Sequence, residues 1–246
     1  MFKKQVLAGL IFAAAMIHSL ASDEPAAKLP APKTGEKPAA TEAVTKASEP
    51  PEWRLELPAW NSLDRWSFQA GMAFITDATI DGILAGDGAR ATGKDEGEIY
   101  LLQTSYKLAA LQPRIGKYRP KIDLELPFVL GIVDEQERDS PWLQYNVGLA
   151  ARWKSFPWNK WLYTNFETGV GLTYSQYVIA AERVRHPDRD RSHLEIYWPV
   201  QLMFALPKHR KHQLVLFIHH HSGGGIFHRG GANSFGFGYR FVPGER

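Results

Sequence analysis

From Trp53 onward, apolar and polar residues alternate with a period of two, and the alternation returns in eight segments. In Arg65–Thr76 one face carries Trp66, Phe68, Ala70, Met72 and Phe74, and the other Arg65, Ser67, Gln69, Gly71 and Ala73. Ile122–Ile132 sets Leu124, Leu126, Phe128 and Leu130 against Asp123 and Glu125. Tyr100–Leu108, Leu143–Trp153, Leu162–Tyr174, Leu194–Leu206, Leu214–Ser222 and Phe235–Phe241 divide in the same way. Successive side chains of a strand point to opposite faces, so the pattern predicts strands with one apolar face each. Most of the segments outrun the usual strand of about 5–6 residues. They match the about 9–11 residues of a tilted strand that crosses a bilayer.

A soluble two-sheet sandwich also alternates. In a sandwich the apolar face is buried and the polar face meets water. Here the polar faces are rich in Gly and carry both signs of charge, with Asp123, Glu125, Glu167 and Glu195 against Lys107, Arg152 and Arg240. Such faces suit a narrow barrel interior held by ion pairs. The expectation is therefore all-β: an eight-stranded antiparallel outer-membrane β-barrel, the closed form that leaves no backbone group unpaired in lipid. Pro127 and Pro199 fall mid-segment, where each removes a ladder donor, and local bulges are expected there. Asp77–Gly97, Val133–Pro141 and Ala180–Ser192 read as outer loops, as does Ser222–Asn233. The connections around Ala110–Tyr118, Lys154–Lys160 and Pro207–Lys211 are shorter on average, which puts both termini in the periplasm.

The N-terminal part is different material. Residues 1–21 read as a signal peptide: Lys3 and Lys4, an uncharged apolar run from Val6 to Ile17, then Ser19-Leu20-Ala21. The run falls short of the about 20 residues of a spanning helix. Residues 22–52 are rich in Pro and Ala and lack aromatics, which predicts a disordered, extended linker with no specified partner. Residues 53–246 form the barrel domain and hold every one of the 8 Trp and 9 Tyr in the chain. With no Cys among the 246 residues, disulfides, thiolate metal sites and a catalytic Cys are excluded. A net charge of +3 is too weak to argue for nucleic acid.

The chemistry concentrates in Phe217–Arg229, which contains His219-His220-His221-Ser222 and then Gly223-Gly224-Gly225. By strand parity His220 and Ser222 share the lipid-facing side of Leu214, Leu216 and Ile218. A neutral imidazole two residues from a hydroxyl can take its proton and make Ser222 a nucleophile. The opposing account is a His and a Ser at a barrel rim that simply meet head groups or water. His219 and His221 point inward, and with His193 and Glu195 they are weighed as zinc ligands. They lack a standard zinc spacing and read first as hydrogen-bonded interior residues, so no metal or cofactor is assigned. Arg183, Arg185, Arg189 and Arg191 suit a clamp for phosphates, competing with a self-paired solvated loop that includes Asp188 and Asp190. Lys208–His212 reads as a charged turn, and Gly169-Val170-Gly171 lies inside a strand and is no nucleotide loop.

His220-His221-Ser222, the glycine-rich turn after it, and Asn233–Phe241 together resemble the outer-membrane lipid A 3-O-deacylases of the PagL type. That family consists of eight-stranded barrels with an H-x-S pair facing lipid shortly before the last strand. The resemblance covers roughly the last thirty residues; elsewhere it is one of architecture. It implies a serine esterase that hydrolyses an ester-linked acyl chain of lipid A, with Ser222 attacking the carbonyl and His220 as base and then acid. Lipid A or lipopolysaccharide in the outer leaflet is the implied partner. Two positions depart from the family. Gly223 stands where the family has Asn, which leaves the N–H groups of Gly223 and Gly224 as oxyanion donors. No carboxylate lies between Ser222 and Glu245 to orient the His, and Asn233 is the residue available for that role. The alternative function is a non-enzymatic outer-membrane barrel with a structural or interaction role in the envelope.

Overall fold

Each alternating segment becomes a strand because only one of its faces tolerates hydrocarbon. The computed structural model describes residues 53–245 other than 58, 60, 87–89, 186 and 188–190. The expected signal peptide (1–21) and linker (22–52) lie outside the described residues. The strands are β1 (Trp53–Glu56), β2 (Trp66–Thr76), β3 (Gly97–Pro113), β4 (Ile122–Glu135), β5 (Trp142–Trp153), β6 (Tyr163–Ser175), β7 (Leu194–Ala205), β8 (His212–Ser222) and β9 (Gly231–Phe241). Two short helices, α1 (Ile80–Ala85) and α2 (Ala180–Arg185), sit in the connections.

Strands β2 to β9 pair antiparallel in chain order, and β9 pairs back onto β2 from Phe68↔Phe241 to Thr76↔Asn233. The sheet therefore closes into an eight-stranded barrel without an open edge among these strands. Strand β1 adds to the end of β3, from Trp53↔Pro113 to Glu56↔Ala110. Sequence reading missed it because four residues carry too little alternation to register, and all four are exposed. One end of the barrel carries the connections 77–96, 136–141, 176–193 and 223–230. The other carries 114–121, 154–162 and 206–211 together with the C-terminal end of β9. The connection between β4 and β5 is shorter than expected because β4 continues through Val133–Glu135.

Burial is inverted relative to a water-soluble protein. Leu102 is 58% exposed, and Phe68, Phe128, Leu149, Val170, Leu216 and Tyr239 also face outward. Gln103, Glu125, Glu167, Gln201 and Arg240 are buried, Arg240 completely. A sandwich would show the opposite, since an apolar group left in water forgoes about 25 cal/mol per Å². An apolar belt around a polar core is the construction of an outer-membrane barrel, and no helix among the described residues is long and apolar enough to cross a membrane.

The expected bulges at Pro127 and Pro199 do not occur. Pro127 pairs with Ser105 and Pro199 with His219 without a change of register. On the other side of each proline the ladder is interrupted and then resumes in the same register, between Glu125↔Ala150 and Phe128↔Val147 and between Thr168↔Val200 and Gly171↔Tyr197. That register sets Gly148 opposite Pro127 and Gly169 opposite Pro199. The missing donor is absorbed as a gap beside a residue without a side chain. The register shift of the β3–β4 pair lies instead between Lys107 and Ala109.

The lumen is filled by a charge ladder that crosses the barrel. Arg240 on β9 donates to Glu125 on β4 (2.5 Å), to Glu167 on β6 (2.7 Å) and to the Ser67 hydroxyl on β2 (2.7 Å). Arg152 reaches Glu125 (2.6 Å) and Asp123 (3.3 Å), and Lys154 joins Asp123 (2.8 Å) to Glu245 (2.7 Å). The bonds from Arg240 to Glu125 and Glu167 connect non-adjacent strands and can form only through the interior. Above this layer Phe217 packs over close-set glycines: a Cβ on Gly236 would lie 2.7 Å from its ring and one on Gly71 3.2 Å.

Glu245, just past β9, closes the ladder at the end opposite the loops. Burial alone would raise its carboxyl, but Lys154, Arg152 and a hydrogen bond from Tyr163 hold it at about 2. Its folded pKa thus lies below the ordinary 4.5. The stability it contributes is complete above the unfolded value and disappears as pH falls from about 4.5 to about 2. Denaturant unfolding in detergent is expected to lose on the order of 3 kcal/mol over that window, and Glu245→Gln should flatten this part of the profile.

Candidate active site

Strand β8 turns its odd residues inward and its even residues outward. His219 and His221 are buried, while His220 and Ser222 are half-buried on the lipid side. The neighbours are fixed by register: His220 lies between Trp198 on β7 and Asn233 on β9, and Ser222 between Ile196 and Gly231. The Trp198 ring meets His220 edge to face at 6.2 Å between centroids, and its Nε1–H donates to Thr168 Oγ1 (3.0 Å).

His220 is held by a two-step relay. Its Nδ1 is 2.7 Å from Asn233 Oδ1, and Asn233 Nδ2 donates to the carbonyl of Ala78 at 2.8 Å. A carbonyl oxygen can only accept, so the amide nitrogen of Asn233 must face Ala78 and its oxygen must face His220. Nδ1 of the imidazole is therefore the protonated nitrogen, and in neutral His220 the lone pair sits on Nε2. This is the tautomer a general base for a hydroxyl requires. The relay ties together β8, β9 and the start of the 77–96 connection. Asn233 was expected to orient His220; the backbone of Ala78 carries no sequence signal for its part.

Among the described residues Ser222 Oγ makes no hydrogen bond, including none to His220. Two residues apart on one strand face, their Cα atoms are separated by about 6.6 Å. Side-chain rotation spans the remainder, and such contacts often close only with substrate bound. The two expected oxyanion donors separate. Gly223 N–H donates to Gly230 O at 3.3 Å within the turn, so it is already engaged. Gly224 has φ 58°, left-handed backbone that favours glycine, and among the described residues its N–H has no partner.

Arg183 on α2 forms an ion pair with Glu137, and Arg191 donates to the backbone carbonyl of Arg183 at 2.9 Å. Arg189 and the side chain of Arg185 lie outside the described residues. The partner of Arg183 thus comes from the neighbouring 136–141 connection. The two interior histidines are individually bonded, His219 Nε2 to Tyr197 Oη (3.0 Å) and His221 Nε2 to Asn146 Oδ1 (3.2 Å), whereas His193 is exposed just before β7 rather than facing inward, with Nδ1 2.8 Å from Ser175 O and its ring beside the outward Tyr174. They do not converge as a set. Glu195 instead lies with Glu182 and His228, whose ligand atoms are all within 4.8 Å of one another. Sequence reading passed over both of those partners, because they come from separate loops.

No family model matches the chain, and no curated protein matches its sequence. Among solved structures it is similar to the outer membrane enzyme PagL, at 10% identity over 71% of this chain and 98% of that one, with a TM-score of 0.47. It is also similar to the outer membrane protein OprG from Pseudomonas aeruginosa, at 12% identity over 72% and 95% of the two chains, with a TM-score of 0.28.

Proposed function

We propose that the protein is an outer-membrane serine esterase that hydrolyses an ester-linked acyl chain of lipid A. The observation that carries this reading is the Ala78–Asn233–His220 relay, which sets the base tautomer of an imidazole on the same lipid-facing strand as Ser222. Polar groups on a lipid face are expensive, and this set costs an amide, an imidazole and a hydroxyl their aqueous solvation. The loop end faces out and the termini face the periplasm, so the site lies at the depth of outer-leaflet esters. Ile226 and Phe227, exposed on the 223–230 turn, border it with apolar surface.

In the reaction Ser222 Oγ attacks the ester carbonyl carbon while its proton passes to His220 Nε2. Negative charge on the carbonyl oxygen is met by Gly224 N–H. Collapse breaks the bond to the sugar oxygen, which leaves with the proton from His220. Water, deprotonated by His220, then releases the fatty acid and restores Ser222. Asn233 fixes the ring, but as a neutral group it stabilises the imidazolium less than a carboxylate does, so the enzyme is a slow one. A clamp of Arg183, Arg185, Arg189 and Arg191 on lipid A phosphates belongs to the same proposal.

The test is the mass spectrum of lipid A from cells producing the chain. The expected result is loss of one ester-linked acyl chain; an unchanged spectrum favours a structural or interaction role in the envelope. Asn233→Ala should lower the rate about 100-fold through kcat, with KM little changed. Unaltered kinetics in that variant would remove the relay from the mechanism.

A further inference from the structure

At the loop end of the lumen, inside the barrel wall and apart from His220 and Ser222, three ionisable side chains from three segments converge. Glu182 comes from α2, Glu195 from the first turn of β7 and His228 from the 223–230 connection. Their side chains are 2%, 5% and 1% exposed. His228 Nε2 lies 2.7 Å from Glu182 Oε1 and 3.4 Å from Glu195 Oε1.

The group differs from the rest of the interior in its charge balance. Each carboxylate of the ladder below, from Asp123 to Glu245, faces an Arg or a Lys. Among the described residues the ion-pair partner of Glu182 and Glu195 is His228 alone. Glu195 Oε1 is buried without a hydrogen-bond partner and points into the cluster. Two buried carboxylates and one imidazole leave the site short of positive charge, and a buried charge must be compensated.

We propose that Glu182, Glu195 and His228 bind one divalent transition-metal cation of the zinc class. One nitrogen and two carboxylate oxygens form a borderline donor set of the kind zinc and its neighbours take, and calcium and magnesium prefer oxygen alone. Bonds of about 2.0–2.2 Å in tetrahedral geometry place ligand atoms about 3.4 Å apart. The His228–Glu195 separation already has that value, and the His228–Glu182 contact opens by a few tenths of an ångström as a hydrogen bond becomes coordination. The cation fastens α2, the mouth of β7 and the glycine turn that follows Ser222 into one unit. Gly230 lies against Glu182, where a Cβ would meet the carboxylate at 2.5 Å, so the turn packs directly on the ligand set.

The test uses the full chain, without an affinity tag, folded in detergent and titrated with Zn²⁺ alone. Isothermal titration and elemental analysis after dialysis are expected to give one zinc per chain. In Glu195→Gln and His228→Gln, with folding verified by the heat-dependent electrophoretic shift of the barrel, affinity should fall at least about 100-fold. Substoichiometric zinc in the wild type, tighter binding of Ca²⁺ or Mg²⁺, or undiminished binding in both variants would overturn the proposal. X-ray absorption at the zinc edge of the wild type needs no variant to fold. A single imidazole with oxygen ligands supports the site; two or more imidazoles would place the ion elsewhere and refute it.

Discussion

Ser222→Ala is expected to remove release of the acyl chain by a factor of about 10⁴ or more, leaving a folded barrel in the membrane. The side chain is half-buried and its hydroxyl bonds to no other described group, so its loss should be nearly silent in stability and total in chemistry. His220→Ala should have a comparable effect. The double variant should be no worse than either single one, because nucleophile and base act as a unit. Lipid A mass spectra together with hydrolysis of a detergent-dispersed ester substrate decide the matter. Acyl release that persists at wild-type rate in Ser222→Ala would end the esterase reading. An equal loss for Ser222→Ala and Ser67→Ala would point to damage to the barrel rather than to its chemistry.

The largest effect on stability is expected at Arg240. Its guanidinium is fully buried and holds Glu125, Glu167 and Ser67 from three other strands. Glu125 retains Arg152 when Arg240 is removed, at 2.6 Å. Glu167 retains no ion-pair partner among the described residues, since its one salt bridge is to Arg240. Arg240→Ala should therefore destabilise the barrel by about 3–5 kcal/mol, the consequence of a buried charge left uncompensated. Combining Arg240→Met with Glu167→Gln should restore more than half of that loss, because removing both charges removes the desolvation penalty with them. Reversible urea unfolding in lipid vesicles measures both. A loss below about 1 kcal/mol in Arg240→Ala would show that water, and not this ion pair, compensates Glu167.

The same side chains show how far local pattern reaches. Arg240, Arg152, Glu125 and Glu167 were assigned to the interior by parity alone, because on a strand the face of one residue fixes the face of all its neighbours. Closure then follows, since lipid tolerates no unpaired edge. The prolines show the limit of this reasoning. Parity locates Pro127 and Pro199 on a strand, but it does not reveal that glycines on the next strand, Gly148 and Gly169, stand opposite them and make bulges unnecessary. Cross-strand register is set by pairings between distant segments, and that information is not local.

The candidate chemistry divides along the same line. The H-x-S spacing on β8 places His220 and Ser222 side by side with no help from the rest of the chain. Which nitrogen of His220 carries the proton depends on Asn233 across the β8–β9 register and on the carbonyl of Ala78, which lies 155 residues from Asn233 along the chain. The cluster of Glu182, Glu195 and His228 is a meeting of two loops and a strand end, for which the sequence offers no spacing to read. Period-two alternation determined the strands, their inward and outward faces and the barrel, because those properties repeat within each segment. Tertiary structure alone decided who pairs with whom inside the lumen and at its mouth, because those contacts form only once the wall has closed and brought opposite strands within reach of each other.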